Sequence, residues 1–184
     1  RDLSYPLRRQ RQMCIRDRTS SSDASRFAEA AERALPCFHH RGPDAAGTWH
    51  DEDAVFGFNR LAIIDLEHSH QPLRWGPAEN PERYALTFNG EIYNYVELRE
   101  ELTAAGLSFN TEGDSETIVV GYHHWGEDVV KHLRGMFAFA IWDTETRSMF
   151  VARDQFGIKP LYYATTEAGT CLLYTSDAAD EEDS

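Results

Sequence analysis

The sequence predicts a layered domain of α-helices and a largely antiparallel β-sheet. Three observations point there. Strand-like runs occupy both the early and late parts of the chain, with two helical patterns between them. "MFAFAIWD" and "SMFVARD" are two apolar runs joined by a short polar turn, the pattern of a hairpin. The length, 184 residues, suits one domain with a sizeable core.

The elements follow in order. Ser25 to Leu35, "SRFAEAAERAL", places Phe27, Ala30, Ala31 and Ala34 at helical spacing, and Pro36 ends it. "HHRGPDAAG" reads as a loop from its Gly and Pro content. "AVFGFNRLAIID", Ala54 to Asp65, reads as a strand or a bent pair of strands. In "YALTFNGEIYN", Tyr84, Leu86 and Phe88 alternate with Ala85 and Thr87, and Asn89-Gly90 breaks the run. A helix is expected from Tyr95 to Ala105, with Tyr95, Leu98 and Leu102 on one face and Gly106 as its stop. A second helix is expected after Asp114, read as an N-cap, burying Ile118, Tyr122 and Trp125. The hairpin comes next, and "GIKPLYYAT" supplies a further strand.

Composition narrows the function classes. A formal charge of −13 leaves no basic stripe for phosphates, which argues against a nucleic-acid partner. No apolar run is long enough to span a bilayer, and the Arg-rich start lacks the apolar stretch of a secretory signal. Three scattered cysteines form neither a disulfide framework nor a metal-type spacing, so a reducing cytoplasm is the expected compartment. The histidines at 39–40, 68, 70 and 123–124 come without Cys pairs or an HExxH pattern, so no metal site is expected.

The two ends differ from the middle. Residues 1–18 hold six Arg and two Asp, and "TSDAADEEDS" holds five acids with nothing to pack. One reading is a basic arm and an acidic tail, both disordered. The other comes from the genetic code: "RRQRQMCIRDR" and "CLLYTSDAADE" resemble the two strands of one sequencing-library adapter, translated. The domain is therefore expected at 23–170, with residues 1–22 adapter-derived or disordered and 171–184 an adapter-derived tail.

Several motifs carry candidate chemistry. Asn89 with the Gly90 N–H could hold a developing oxyanion, the requirement of amide cleavage; the competing reading is a hairpin turn. Arg60, after an apolar strand, could fork two hydrogen bonds to a ligand carboxylate or form a surface ion pair. Asp114 could receive a ligand ammonium group or serve only as a helix cap, and Glu91 is similarly ambiguous.

Taken in order, "HRGPDAAGTWH", "FGFNRLAIIDLEHSHQPL", "FNGEIYNYVELREEL", "GDSETIVVGY", "LRGMFAFAIWD" and "ARDQFGIKPLYYAT" resemble the glutaminase domain of glutamine-hydrolysing asparagine synthetases, over about residues 24–170. The resemblance implies an α+β N-terminal-nucleophile hydrolase fold, a four-layer αββα sandwich with two antiparallel sheets. It implies L-glutamine as substrate, held by Arg60 and the adjoining Leu61, Ala62, Ile63 and Ile64. Asn89 and Gly90 would form the oxyanion hole, and Glu91 and Asp114 would face the substrate amino group. Arg41 and Gly42 would lie near the nucleophile. The glutaminase half would need no cofactor; ATP with Mg would serve a missing C-terminal synthetase domain, which forms an aspartyl-adenylate and receives the ammonia. That domain is the partner implied, and a second copy of the chain, as a homodimer, is the other candidate.

Family members begin Met-Cys-Gly and continue into a small apolar strand. Here Met13-Cys14 is followed by "IRDRTSSSD", with neither the glycine nor the strand, and twelve residues precede Met13. Cys14 is therefore read as a mimic of the nucleophile, and the true one as missing. Cys37, between Pro36 and Phe38, reads as a packed small hydrophobe. Another class II amidotransferase, or a catalytically silent binding module of the same fold, are the alternatives.

Overall fold

A computed structural model of the protein describes residues 12–16, 21–36, 45–60, 70–166 and 169–174. Two antiparallel sheets form its centre. The first contains β1 (Gln12–Arg16), β2 (Ala45–His50), β3 (Ala54–Arg60), β8 (Leu161–Thr166) and β9 (Gly169–Tyr174), in the order β2-β3-β1-β9-β8. The second has the order β4-β5-β6-β7, from β4 (Leu73–Trp75), β5 (Tyr84–Ile92), β6 (Gly135–Asp143) and β7 (Ser148–Arg153).

Period-two alternation decides what each face meets. On β6, Phe137, Phe139 and Ile141 turn to one side, where Leu86 and Phe88 of β5 join them against α2 (Tyr95–Ala104) and α3 (Asp114–Trp125). Leu98 and Leu102 of α2, and Ile118 and Val119 of α3, complete that core. On the other side Ala138, Ala140 and Trp142, with Ala85, meet Ala54, Phe56 and Leu172 of the first sheet. Small residues on the second sheet allow the two sheets to approach, and Trp142 fills the far end. Its indole N–H donates to Asp51 Oδ2 at 2.5 Å. Outside the first sheet lies α1 (Ser21–Ala34), whose Ala31, with Leu35 just beyond it, packs on Gly57. The layers are thus helix, sheet, sheet, helix, as the family resemblance implied.

Four strands differ from the sequence reading. β1 was expected to be no strand, yet Gln12–Arg16 lies between β3 and β9, with Cys14 in register with Phe56 and Leu172. Ladder bonds come from the backbone, so a slot flanked by two strand edges accepts a segment whose side chains do not advertise a strand. The same reasoning covers β9, which runs through the boundary drawn at 170 and lies between β1 and β8. β2, whose start at Ala45 falls in the expected loop, is an edge strand that adds to β3 alone. β4 has three residues, too few to show a period. The helix expected from Ser25 begins at Ser21.

Candidate functional site

The sequence allows Asn89 and Gly90 to be either an oxyanion hole or a hairpin turn. The structure removes the turn: β5 continues to Ile92, with Asn89 opposite Ala138 and Gly90 opposite Phe137. Asn89 shares the alternation of Ala85 and Thr87 and so takes the inter-sheet side. It is 2% exposed, and its Nδ2 has no hydrogen-bond partner among the described residues. An unpaired buried amide costs about 1–3 kcal/mol, and such groups in native folds call for a reason. Strand β1 lies across from β5 in the sandwich.

Gly90 is held at φ +150°. A Cβ there would collide with the Met136 carbonyl and come within 2.7 Å of Phe137 Cα. Only glycine can lie this close to β6, so the Asn89–Gly90 backbone rests directly on Met136 and Phe137.

Asp114 arrives from the opposite direction. Gly113 is the N-cap of α3, and Asp114, expected in that role, is the first helical residue. Its side chain turns to β5 and accepts the Ile92 N–H at 3.0 Å, two residues beyond Gly90. Burial raises its pKa to about 6, with the Ile92 hydrogen bond opposing and the Glu91 carboxylate adding to the rise. Glu91 itself is exposed. A buried carboxylate and a solvent-facing one thus lie together just past Gly90, at Ile92 and Glu91 of β5, an arrangement that favours an incoming cation such as an ammonium group.

Residues outside the sequence reading hold this arrangement. Glu116, 1% exposed, accepts the N–H groups of Asn110 and Thr111 and the Thr111 hydroxyl, each at 2.7 Å. Arg99 donates to the carbonyls of Thr111 at 2.6 Å and Gly113 at 3.4 Å, and covers the Phe109 ring at 4.2 Å. Together they brace the segment that delivers Asp114. The signal was present: Glu116 is the third helical residue, where a carboxylate reaches back to the backbone before a helix.

Arg60 closes β3, opposite Ala45. Leu61, Ala62, Ile63 and Ile64 lie outside the described residues, as do Cys37, Arg41 and Gly42. A groove lined by Glu32, Leu35, Thr48 and Asn59 lies under α1, on the far side of the first sheet from β5, and does not join this site. His123 sits in an aromatic nest, its Nδ1 3.2 Å from the Tyr84 hydroxyl and its ring against Trp75. Among the described residues no three His, Cys, Asp or Glu side chains converge as metal ligands. None of the described helices is long and apolar enough to cross a membrane.

The model of the glutamine amidotransferase domain family matches residues 13–180. The chain belongs to this family. The amidotransferase domain is 62% identical over 151 residues to the Mycobacterium tuberculosis protein named "Putative asparagine synthetase [glutamine-hydrolyzing]", covering 79% of this chain and 23% of that protein. It is 54% identical over 126 residues to asparagine synthetase [glutamine-hydrolyzing] 1 of Bacillus subtilis, covering 68% of this chain and 19% of that protein. The chain therefore spans about a quarter or less of these relatives' length. The fold matches the glutamine phosphoribosylpyrophosphate amidotransferase of B. subtilis with a TM-score of 0.64 at 18% identity, over 94% of this chain and 43% of that one. The architecture is that of the N-terminal-nucleophile amidotransferases.

Proposed function

We propose that the domain is the glutaminase half of a glutamine-hydrolysing asparagine synthetase, acting on L-glutamine. The observation that carries this reading is the buried, unpaired Asn89 Nδ2 beside Gly90, two residues from the β5 N–H that Asp114 holds. An amide donor paid for by the fold and aimed between the sheets has a use once an oxyanion forms there.

The chemistry follows. A cysteine thiolate attacks the side-chain carbonyl carbon of glutamine, and Asn89 Nδ2 and the Gly90 N–H stabilise the oxyanion. The C–N bond then breaks, the nitrogen takes a proton from the base and leaves as ammonia, and water opens the thioester to glutamate. The free α-amine of an N-terminal cysteine, titrating near ~8, serves as base. Arg60 with Leu61 to Ile64 holds the substrate carboxylate, and Asp114 and Glu91 its ammonium group. In the longer protein the ammonia passes to an ATP- and Mg-dependent domain that has activated aspartate. No residue of this chain is assigned to that step.

The nucleophile belongs at the start of the strand that β1 replaces. Cys14 lacks the glycine that follows the nucleophile in the family, and the stretches 8–18 and 171–181 resemble adapter-derived sequence. Glutamate release from three proteins tests this: the chain as given, one beginning at Met13, and one whose residues 1 to about 22 are replaced by Met-Cys-Gly and a short apolar strand. Activity is expected only in the third. Hydrolysis by the second, abolished by Cys14→Ala, would establish Cys14 as the nucleophile.

A further inference from the structure

Gly90 rests on Met136 and Phe137, so the aim of the oxyanion hole depends on what holds that part of β6 from its other side. The β6–β7 ladder ends at Ala138 opposite Arg153. One residue later the chain turns away, and Asp154 takes over. Its backbone N–H donates to the Phe137 carbonyl at 2.8 Å, and its Oδ2 accepts the Phe137 N–H at 3.3 Å. The carboxylate thus stands in for the carbonyl that a continuing strand would have offered. Phe137 is in turn the residue opposite Gly90.

The same carboxylate is anchored by the turn it begins. Oδ1 accepts the N–H groups of Phe156 and Ile158, and Oδ2 that of Lys159, all at 3.0 Å. The residue is 3% exposed. Burial raises its pKa, but the N–H donors, led by Lys159, outweigh it and keep the carboxyl below the usual carboxylate value. It therefore stays ionised and acceptor-only at neutral pH, which is what four donors require.

We propose that Asp154 is a positioning residue for the oxyanion hole: by completing the β6 ladder at Phe137 it fixes the backbone against which Asn89 and Gly90 are set. This rests on the glutaminase reading above. An active site tolerates little displacement of its donors, so the effect falls on the step where charge develops rather than on substrate binding.

The test uses the protein with the Met-Cys-Gly start. Asp154→Asn keeps the shape but turns one acceptor into a donor; kcat should fall roughly 10-fold or more while KM stays within about two-fold. In an Asn89→Ala background the same change should cost much less, because the donor being positioned is already gone. Gly157→Ala disturbs the same turn, at φ +64°, without touching the Phe137 bonds, and should lower the melting temperature but not kcat. If Asp154→Asn does not fold, Asp154→Glu is judged by the same criteria. Unchanged kcat, a full additive loss in the Asn89→Ala background, or an equal loss from Gly157→Ala would overturn the proposal. A parent protein that hydrolyses no glutamine would instead overturn the functional reading beneath it.

Discussion

Replacing Asn89 by alanine should separate stability from catalysis. The side chain is 2% exposed, yet its Nδ2 donates to none of the described residues. The fold therefore bears the desolvation of that amide, about 1–3 kcal/mol, without recovering a hydrogen bond. Alanine removes the liability and opens a small void in a layer already lined by Ala85 and Ala138, at a cost of about 1 kcal/mol. The two effects nearly cancel or favour the variant, so unfolding stability should change by less than about 1 kcal/mol. Catalysis should not be spared. Losing one oxyanion donor costs roughly 10²–10³-fold in kcat, about 3–4 kcal/mol, and glutamine binding should be little affected. The measurements are denaturant melts on the chain as given, with glutamate-release kinetics on the protein carrying the restored start. A stability loss above about 2 kcal/mol with kcat intact would show that Asn89 is structural and refute the assignment.

Arg60→Ala should weaken glutamine binding by about 2–4 kcal/mol through loss of a charge-assisted pair, with Asp114→Asn acting in the same direction; unchanged KM in both variants would sink the pocket assignment. Asp114 also predicts a pH effect. Its folded pKa of about 6 lies above the ordinary 3.8, so the folded state binds more protons in that window. Its contribution to stability is therefore fully present below about pH 4 and is lost as pH rises through 6, on the order of 2–3 kcal/mol. Melts of the wild-type chain and Asp114→Asn between pH 4 and 7 should diverge accordingly, and parallel curves would contradict the buried carboxylate. Bound glutamine should reverse the trend, because its ammonium group favours the ionised form. Glu116→Ala should destabilise the fold by about 2–3 kcal/mol by orphaning the N–H groups of Asn110 and Thr111, read as a shift in the denaturant midpoint.

Much of this protein is legible in its sequence. The alternation around Tyr84 to Phe88, the helix faces of Leu98 and Ile118, and the 135–153 hairpin are local periodicities, and each reappears as an element. The ordered motifs carried the family, since a run of residue types at fixed spacing is a property of the chain alone. The strands at Gln12–Arg16, Ala45–His50 and Gly169–Tyr174 were not legible, because their pairing is set by the open edges of neighbouring strands and the backbone groups are the same whatever the side chain. Asn-Gly read locally as a turn. Only the pairing of β5 with β6 shows that the glycine is there for close approach to Met136 and Phe137. That Asp114 meets the Ile92 N–H, that Glu116 braces its approach and that the Asn89 amide is left unpaired are relations between residues distant in sequence or on opposite elements. Spacing names the candidates, and burial and hydrogen-bond partners, which exist only once the sheets and helices are packed, assign what each one does.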